Sequence, residues 1–481
     1  MHTNRIILAG MQGPSSRASW IGLTIMTLSA ISAQGNKSVM ALLLQPIKNS
    51  LHFSDTQMGL LEGTSIGIAY LLVAIPLGLW VDRGTRVRIF LLGSVLWSIG
   101  TLATGLVGGF VSLFLARLLV GIGGVVLNPA GISLIADWFP PRQRGIPTGL
   151  FSAGTSAGAA LGTAAGGALL RLVSTSSSLV AMAEPWRWVQ IAFGVYALIG
   201  SALLLLLREP ARHETLGQGM TLRKSLRRLS THFQFLGYLI GGVTFSLFVL
   251  MSASIWPPAV LSRTFHLSPV QFASWLSAVL LLAGVGGSFL GGLIAHVWGD
   301  GKPDRLMRLA AWTSLPTIPV AGFAMLPSAT SFAVALMTLL LFNTVARIQV
   351  TTALAIRIPN ELRGLAMGID IFIAASIGFS VAPAAVGLLS DHLGTPNGLR
   401  LALLAICVPS ASLSTLLYYL CAKAAQTAPG NPVLRLAADE PVTRVPQSPT
   451  RAFTVRTSSH IRSRPYSSTI HRAHWSRKRR L

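Results

Sequence analysis

Gly78-Leu79-Trp80-Val81-Asp82-Arg83-Gly84-Thr85-Arg86 separates two apolar runs, 57–79 and 89–108. Each run is about the 20 residues a helix needs to cross a bilayer. The charged residues between them, Asp82, Arg83 and Arg86, are costly in hydrocarbon and belong in a polar loop at a membrane face. Apolar run, short charged loop, apolar run is the unit from which the rest of the chain is read.

The same unit recurs along the sequence. Twelve candidate spans fall at 20–42, 57–79, 89–108, 111–136, 146–169, 187–207, 232–257, 269–294, 307–326, 332–353, 365–388 and 401–422. Composition agrees. The 481 residues are 52% apolar and 11% charged, with a mean hydropathy of +0.62. A soluble protein carries about a quarter charged residues, enough to clothe its core, and this chain does not. Cys407 and Cys421, both in the last apolar run, give no disulfide framework, and the histidines show no ligand spacing. No metal or other cofactor is expected.

Basic residues set the expected orientation. Arg83, Arg86 and Arg88 follow the second span, Arg142 and Arg144 the fourth, and Arg223, Lys224, Arg227 and Arg228 the sixth. Lys302, Arg305 and Arg308 follow the eighth, and Arg357 and Arg363 the tenth, while the alternate loops are poor in charge. Positive loops face the cytoplasm, so both termini are expected there, which requires an even number of spans. The expected organisation is a cytoplasmic segment 1–19, six spans in 20–207, a basic loop 208–231 with an amphipathic stretch Leu222–Leu229, six spans in 232–422, and a basic disordered tail 423–481. The formal charge of +24 reads as attraction to anionic lipid rather than nucleic acid, because it sits in short loops and the tail. A monomer in a bacterial inner membrane is expected.

The two halves echo each other. Pro140-Pro141-Arg142-Gln143-Arg144-Gly145 and Pro359-Asn360-Glu361-Leu362-Arg363-Gly364 occupy matching positions, between the fourth and fifth spans of their own half. A weaker pair is Gly78-Leu79-Trp80-Val81-Asp82-Arg83 against Gly292-Leu293-Ile294-Ala295-His296. Repeats of this kind build alternating access in secondary transporters.

The opening stretch resembles the cytoplasmic loop signature of the major facilitator superfamily. Phe53-Ser54-Asp55-Thr56-Gln57-Met58-Gly59-Leu60, Ala74-Ile75-Pro76-Leu77-Gly78, Arg117-Leu118-Leu119-Val120-Gly121-Ile122-Gly123 and Trp138-Phe139-Pro140-Pro141 extend the resemblance over 50–170. The pattern is similar to the spinster-like and anion–cation symporter branches. It implies an all-α polytopic membrane protein with 12 transmembrane helices in two six-helix bundles, both termini cytoplasmic, and a substrate site between the bundles. Two departures bear on coupling. Asn36-Lys37 stands where the spinster-like pattern has Asp-Arg, and Gly123-Gly124-Val125 where it often has Gly-Glu-Ala.

Ionisable residues inside spans mark function by default. Lys37, Glu62 and Arg117 lie at one depth, about 8–9 Å below the outer ends of their spans at 1.5 Å per residue. The expectation is a Lys37–Glu62 pair with Arg117 beside it. Arg347 and Asp370, at about 8–9 Å from the inner face, form a second expected pair. Arginine binds carboxylate and phosphate through paired donors, so the substrate is expected to be a small organic anion, with Glu62 or Asp370 carrying a coupling proton. Asp82, Arg83 and Arg86 are expected to latch the bundles at the cytoplasmic face. Gly154, Gly158, Gly162 and Gly166 line one helix face, where another helix approaches closely.

An enzyme is not expected: no zinc-binding helix, nucleophile elbow or phosphate loop is present. The alternatives to an anion carrier are an exporter of lipid-like compounds and a non-transporting membrane receptor.

Overall fold

The computed structural model describes residues 17–73, 84–140, 143–207, 209–210 and 222–427, and these form helices and connecting turns without strands. In the first half, α1 is Arg17–Leu42 and continues as Leu44–Leu51. Helix α2 is Asp55–Gly59, then a π-helical turn Leu60–Thr64, then helix to residue 73. Helices α3, α4, α5 and α6 are Arg86–Leu106, Phe110–Trp138, Gly145–Thr175 and Pro185–Leu203. In the second half, α7 is Phe233–Ile255, and Pro257 opens a further short helix, Pro257–Thr264. Helix α8 is Pro269–Leu281, with a π-helical turn Leu282–Gly286 and then Gly287–Trp298. Helix α9 is Pro303–Ser314, α10 is Ala329–Arg357, and α12 is Gly398–Thr427. Helix α11 is Asn360–Asp370, a π-helical turn Ile371–Ala375, and Ser376–Leu393.

Among the described residues nine helices are long and apolar enough to cross a membrane. Three of the twelve sequence-derived spans are not in that set. Gln34, Asn36, Lys37 and several serines dilute Arg17–Leu42. Helix α2 runs into residues outside those described. The expected span 307–326 is broken: Pro303–Ser314 gives way to the short turns Thr317–Val320 and Phe323–Met325. Pro316 and Pro319 supply no N–H and interrupt the helical ladder there. The basic stretch Leu222–Leu229 is a helix, and its Leu229 is buried in the same cluster as Ile358 and Leu362. The segment 1–16 and the tail beyond Thr427 lie outside the described residues.

Packing divides the molecule by end rather than only by half. One core cluster is confined to the first half (Leu23, Met26, Val87, Trp97, Phe139, Phe151) and another to the second (Leu236, Leu306, Val350, Leu354, Tyr418). A third joins the halves: Val39, Leu43, Met58 and Leu170 pack with Val260, Phe272, Leu336 and Val386. The joined core lies at the end of the helices carrying Asp55, and the separate cores lie toward the end carrying Arg86. The halves are therefore fused at the Asp55 end.

Helix α5 carries the glycine stripe, and its partner is α1. A Cβ on Gly158 would come within 2.6 Å of the Ile31 carbonyl oxygen, and one on Gly166 within 2.8 Å of Val39. Gly154 faces Thr27, and Gly162 lies against the Gly35 backbone. Gly162→Val is therefore expected to destabilise the protein by about 2 kcal/mol, the cost of overpacking a tight contact. Gly149→Ala, with nothing within 4 Å of its Cβ, is the control. Thermal unfolding in one detergent tests this, and a Gly162→Val transition equal to wild type would refute the close approach.

The internal repeat is visible in backbone geometry. His52 and His266 both adopt positive φ, at 53° and 52°. Each is followed by a serine–glutamine capping box, Ser54/Gln57 and Ser268/Gln271. The two turns are separated by 214 residues (52 to 266), and each opens the second helix of its half.

Candidate functional site

Helices α1, α2 and α4 bring Lys37, Glu62 and Arg117 together. The π-helical turn Leu60–Thr64 carries Glu62. Such a turn inserts a residue into the helical register, and these turns concentrate at functional sites. It lets α2 lay Gly59, Gly63 and Gly67 against Pro383, Phe379 and Ser380 of α11 while Glu62 points back into the first half. Arg117 is fully buried and Glu62 nearly so; Arg117 Nη2 stands 3.5 Å from Glu62 Oε2. The observed ion pair is thus Glu62–Arg117, not the expected Glu62–Lys37. Lys37 remains within electrostatic reach of both, but its ammonium lies over the Phe379 ring, 5.9 Å from the centroid.

This cluster is underfilled. Arg117 Nε and Nη1 and Glu62 Oε1 are buried without a hydrogen-bond partner. Buried polar groups are ordinarily satisfied, and each exception calls for an explanation. Two cations and one carboxylate leave one net positive charge facing those free donors. That arrangement can receive a carboxylate.

Arg347 of α10 and Asp370 of α11 are half-buried and electrostatically coupled. They do not form the expected hydrogen-bonded pair: Arg347 Nη1 and Asp370 Oδ1 are both buried without partners. Asp370 directly precedes the π-helical turn Ile371–Ala375. Tyr418 of α12, completely buried and within electrostatic reach of Arg347 and Asp370, completes this group. Asn343 donates to Ser246 Oγ at 3.0 Å and Gln349 accepts from Thr313 at 2.9 Å, so both face the interior of the second half. Thr351 is exposed.

A charge network that the sequence did not single out closes the Asp55 end. The Asp55 carboxylate accepts two hydrogen bonds from Arg263, at 2.6 and 2.7 Å, one from Lys48 at 2.5 Å and one from Ser390 at 2.7 Å. Arg263 also donates to Gln45 at 2.7 Å. Burial alone would raise the Asp55 carboxyl, but the hydrogen bonds and charge of Arg263, helped by Lys48 and Ser390, hold it at about 2. Beside it, Asp391 at the end of α11 accepts from the backbone N–H groups of Asp55 and Thr56, at 3.0 and 2.7 Å, and from the Thr56 hydroxyl at 2.6 Å. One half thus supplies the anion that caps a helix N-terminus of the other, where free amides and the helix dipole favour negative charge.

The comparisons with known proteins place this geometry. The family model described as Major Facilitator Superfamily matches residues 25–383. The chain belongs to the Major Facilitator Superfamily. It is a multi-pass membrane protein of a family of transporters, not enzymes. The Escherichia coli (strain K12) protein named Probable L-galactonate transporter is 26% identical over 306 residues, 59% of this chain and 64% of that relative. Protein spinster of Drosophila melanogaster is 24% identical over 78% of this chain and 63% of its own. The alignments thus span just under two thirds of those two relatives. The hexuronate transporter of Bacillus subtilis (strain 168) is 26% identical over 76% of this chain and 86% of its own. Among solved structures, a bacterial homolog to the human lysosomal transporter spinster superposes with a TM-score of 0.75 at 23% identity, covering 87% of this chain and 100% of that one. A D-xylose–proton symporter gives 0.62 at 16% identity, covering 85% and 97%. At these identities the two structures establish the fold.

At the opposite end of this Major Facilitator chain, Arg86 sits at the start of α3 with its side chain buried. It is ion-paired with Asp137 of α4, and its Nε donates to Glu209 at 2.9 Å. Glu209 also accepts from the backbone N–H of Arg86 and Val87, at 3.1 and 2.8 Å, capping α3. Asp137 belongs to the first half, and Glu209 to the loop that follows its last helix. Asp82 and Arg83, expected to join Arg86 in a cytoplasmic latch, lie outside the described residues. Neither Asp137 nor Glu209 was singled out from sequence, although acids near an arginine-rich helix end are the available signal.

Proposed function

We propose that this protein is a secondary active carrier of small polyhydroxy carboxylates, of the hexuronate and aldonate kind, moved by alternating access with proton coupling. The observation that carries the reading is Arg117: fully buried, paired once with Glu62, and holding two unpartnered donors beside Lys37. A buried arginine binds a carboxylate through paired, charge-assisted hydrogen bonds. The relatives named as L-galactonate and hexuronate transporters supply the substrate class.

Alternating access is supported by the unequal ends. The halves share a core and an ionic network at the Asp55 end, and have separate cores toward the Arg86 end. The basic loops gather at the Arg86 end, which makes it the cytoplasmic face of the bacterial inner membrane, with both termini on that side. The conformation is then closed outward, and the two bodies that rock are the six-helix bundles 20–207 and 232–422. Glu62 and Asp370, each beside an arginine in a span, are the proton carriers.

Counterflow of labelled D-glucuronate into proteoliposomes tests the reading. Internal D-glucuronate is expected to stimulate uptake several-fold, an imposed pH gradient to raise it further, and Glu62→Gln with Asp370→Asn to remove the gradient response. Stimulation by internal lysophospholipid instead would favour the lipid-exporter reading. Binding of D-glucuronate without exchange would make the protein a receptor.

A further inference from the structure

Lys37 is a cation without a carboxylate. Arg117 occupies Glu62, and a second cation at that site is repelled by the first. No carboxylate lies within ion-pair distance of Lys37 among the described residues, and its ammonium rests over the face of Phe379. An aromatic face carries a negative quadrupole that attracts a cation within about 6 Å, more strongly where water is excluded.

The ring belongs to the other half of the molecule, and the first half holds it in place. Tyr70 of α2 stacks on Phe379 with centroids 5.3 Å apart and planes 11° from parallel. Gly63 of α2 abuts the Phe379 backbone, and the Thr64 hydroxyl donates to the Ser380 carbonyl at 2.9 Å. Phe379 is therefore a fixed platform, while Lys37 has a long flexible stem.

We propose that Phe379 is a positioning residue: it parks Lys37 across the boundary between the halves in the empty carrier, and the arriving carboxylate takes Lys37 from it. This rests on the anion reading of the Arg117 site. Two consequences follow physically. The ligand competes with Phe379 for Lys37, so parking weakens apparent affinity. Loading also removes one contact holding α1 to α11, so occupancy itself loosens the closed end.

The test is a double-mutant cycle between Lys37→Met and Phe379→Leu, in protein reconstituted in nanodiscs. With D-glucuronate as the probe, Phe379→Leu is expected to tighten binding about fivefold, the scale of one partly desolvated cation–π contact. It is expected to change nothing in the Lys37→Met background, and Phe379→Tyr, which keeps the ring, should match wild type. Weaker binding in both backgrounds would mean that Phe379 touches the ligand, and equal binding throughout would mean that parking is idle; either overturns the proposal. A ligand-free arm separates this from the anion reading. Spin labels at the exposed positions Ser178 and Thr395 report the spacing of the halves at the Asp55 end. Phe379→Leu should raise the long-distance population severalfold with Lys37 present and not with Lys37→Met. An unchanged distribution refutes parking. Failure of wild type to bind D-glucuronate, with the spin-label result as expected, refutes the substrate class alone.

Discussion

Arg117→Gln is expected to lower D-glucuronate counterflow by about a hundredfold and to destabilise the protein at the same time. The two effects have different causes and can be separated. Removing the guanidinium strands Glu62, which is 3% exposed, as an uncompensated buried carboxylate. Breaking a buried pair by deleting one partner costs about 3–5 kcal/mol. Replacing both partners removes that penalty, so Arg117→Gln combined with Glu62→Gln should recover most of the lost thermal stability. Transport should not recover, because a charge-assisted hydrogen bond to substrate contributes about 1.5–3 kcal/mol and the double variant has lost those of Arg117, keeping only Lys37. Arg117→Lys keeps the charge but loses the planar fork of donors, so it should fall between, about tenfold below wild type. The measurements are initial counterflow rate and unfolding temperature for each variant. A double variant that folds and exchanges substrate at the wild-type rate would rule out Arg117 as the anion site.

The fold was legible because the membrane imposes a coarse rule that sequence obeys visibly. A helix long and apolar enough to cross stands out against its loops, and nine helices among the described residues meet that standard. Of the three expected spans outside that set, 307–326 fails for a local reason: apolarity says span, while Pro316 and Pro319 say break, and the backbone follows the prolines. Single charges within apolar runs were equally visible, which is why Lys37, Glu62, Arg117, Arg347 and Asp370 could be named.

Their pairing was not visible. Two cations compete for Glu62, and the register that decides between them depends on a π-helical turn at Leu60–Thr64, which leaves no mark in periodicity. The network at the Asp55 end was harder still. Asp55, Arg263 and Asp391 lie at helix ends, where charged residues are ordinary and draw no attention. Their connections run over 208 and 336 residues of sequence, so no spacing rule joins them. Arg86 shows the converse. Its motif pointed to a latch between the bundles, but its own described partners are Asp137 of the same half and Glu209 of the loop that leaves it.

Asp55→Asn is expected to shift the carrier strongly toward the state open at the Asp55 end, by about a hundredfold in population. The carboxylate is almost wholly buried and receives four hydrogen bonds from three side chains, two of them cationic. Asparagine has one carbonyl oxygen and no charge, so Arg263 and Lys48 are left competing for a neutral acceptor. Loss of a charge-assisted, two-pronged arginine contact is worth about 3 kcal/mol, and about 1.4 kcal/mol is tenfold. Asp391→Asn, which removes charge from the cap on α2 but not from the Arg263 pair, should shift the same equilibrium in the same direction by about fivefold. Asp300→Asn, which breaks an exposed pair with Arg305, should do nothing, since surface pairs contribute little. Alkylation of Leu170→Cys by a membrane-impermeant maleimide reads the opening, because Leu170 is buried in the core shared by the halves. The pH dependence has a definite sign. A carboxyl held below its unfolded value stabilises fully above that value and loses the contribution as pH falls through the folded one. With Asp55 near 2, the latch holds from pH 8 down to about pH 4 and weakens only below that. Alkylation of Leu170→Cys in the Asp55-containing protein, normalised at each pH to that of a permanently exposed cysteine because only the thiolate reacts, should therefore be flat between pH 8 and 5. Rapid alkylation in the Asp55-containing protein, equal to that of Asp55→Asn, would show that this network does not hold the end closed.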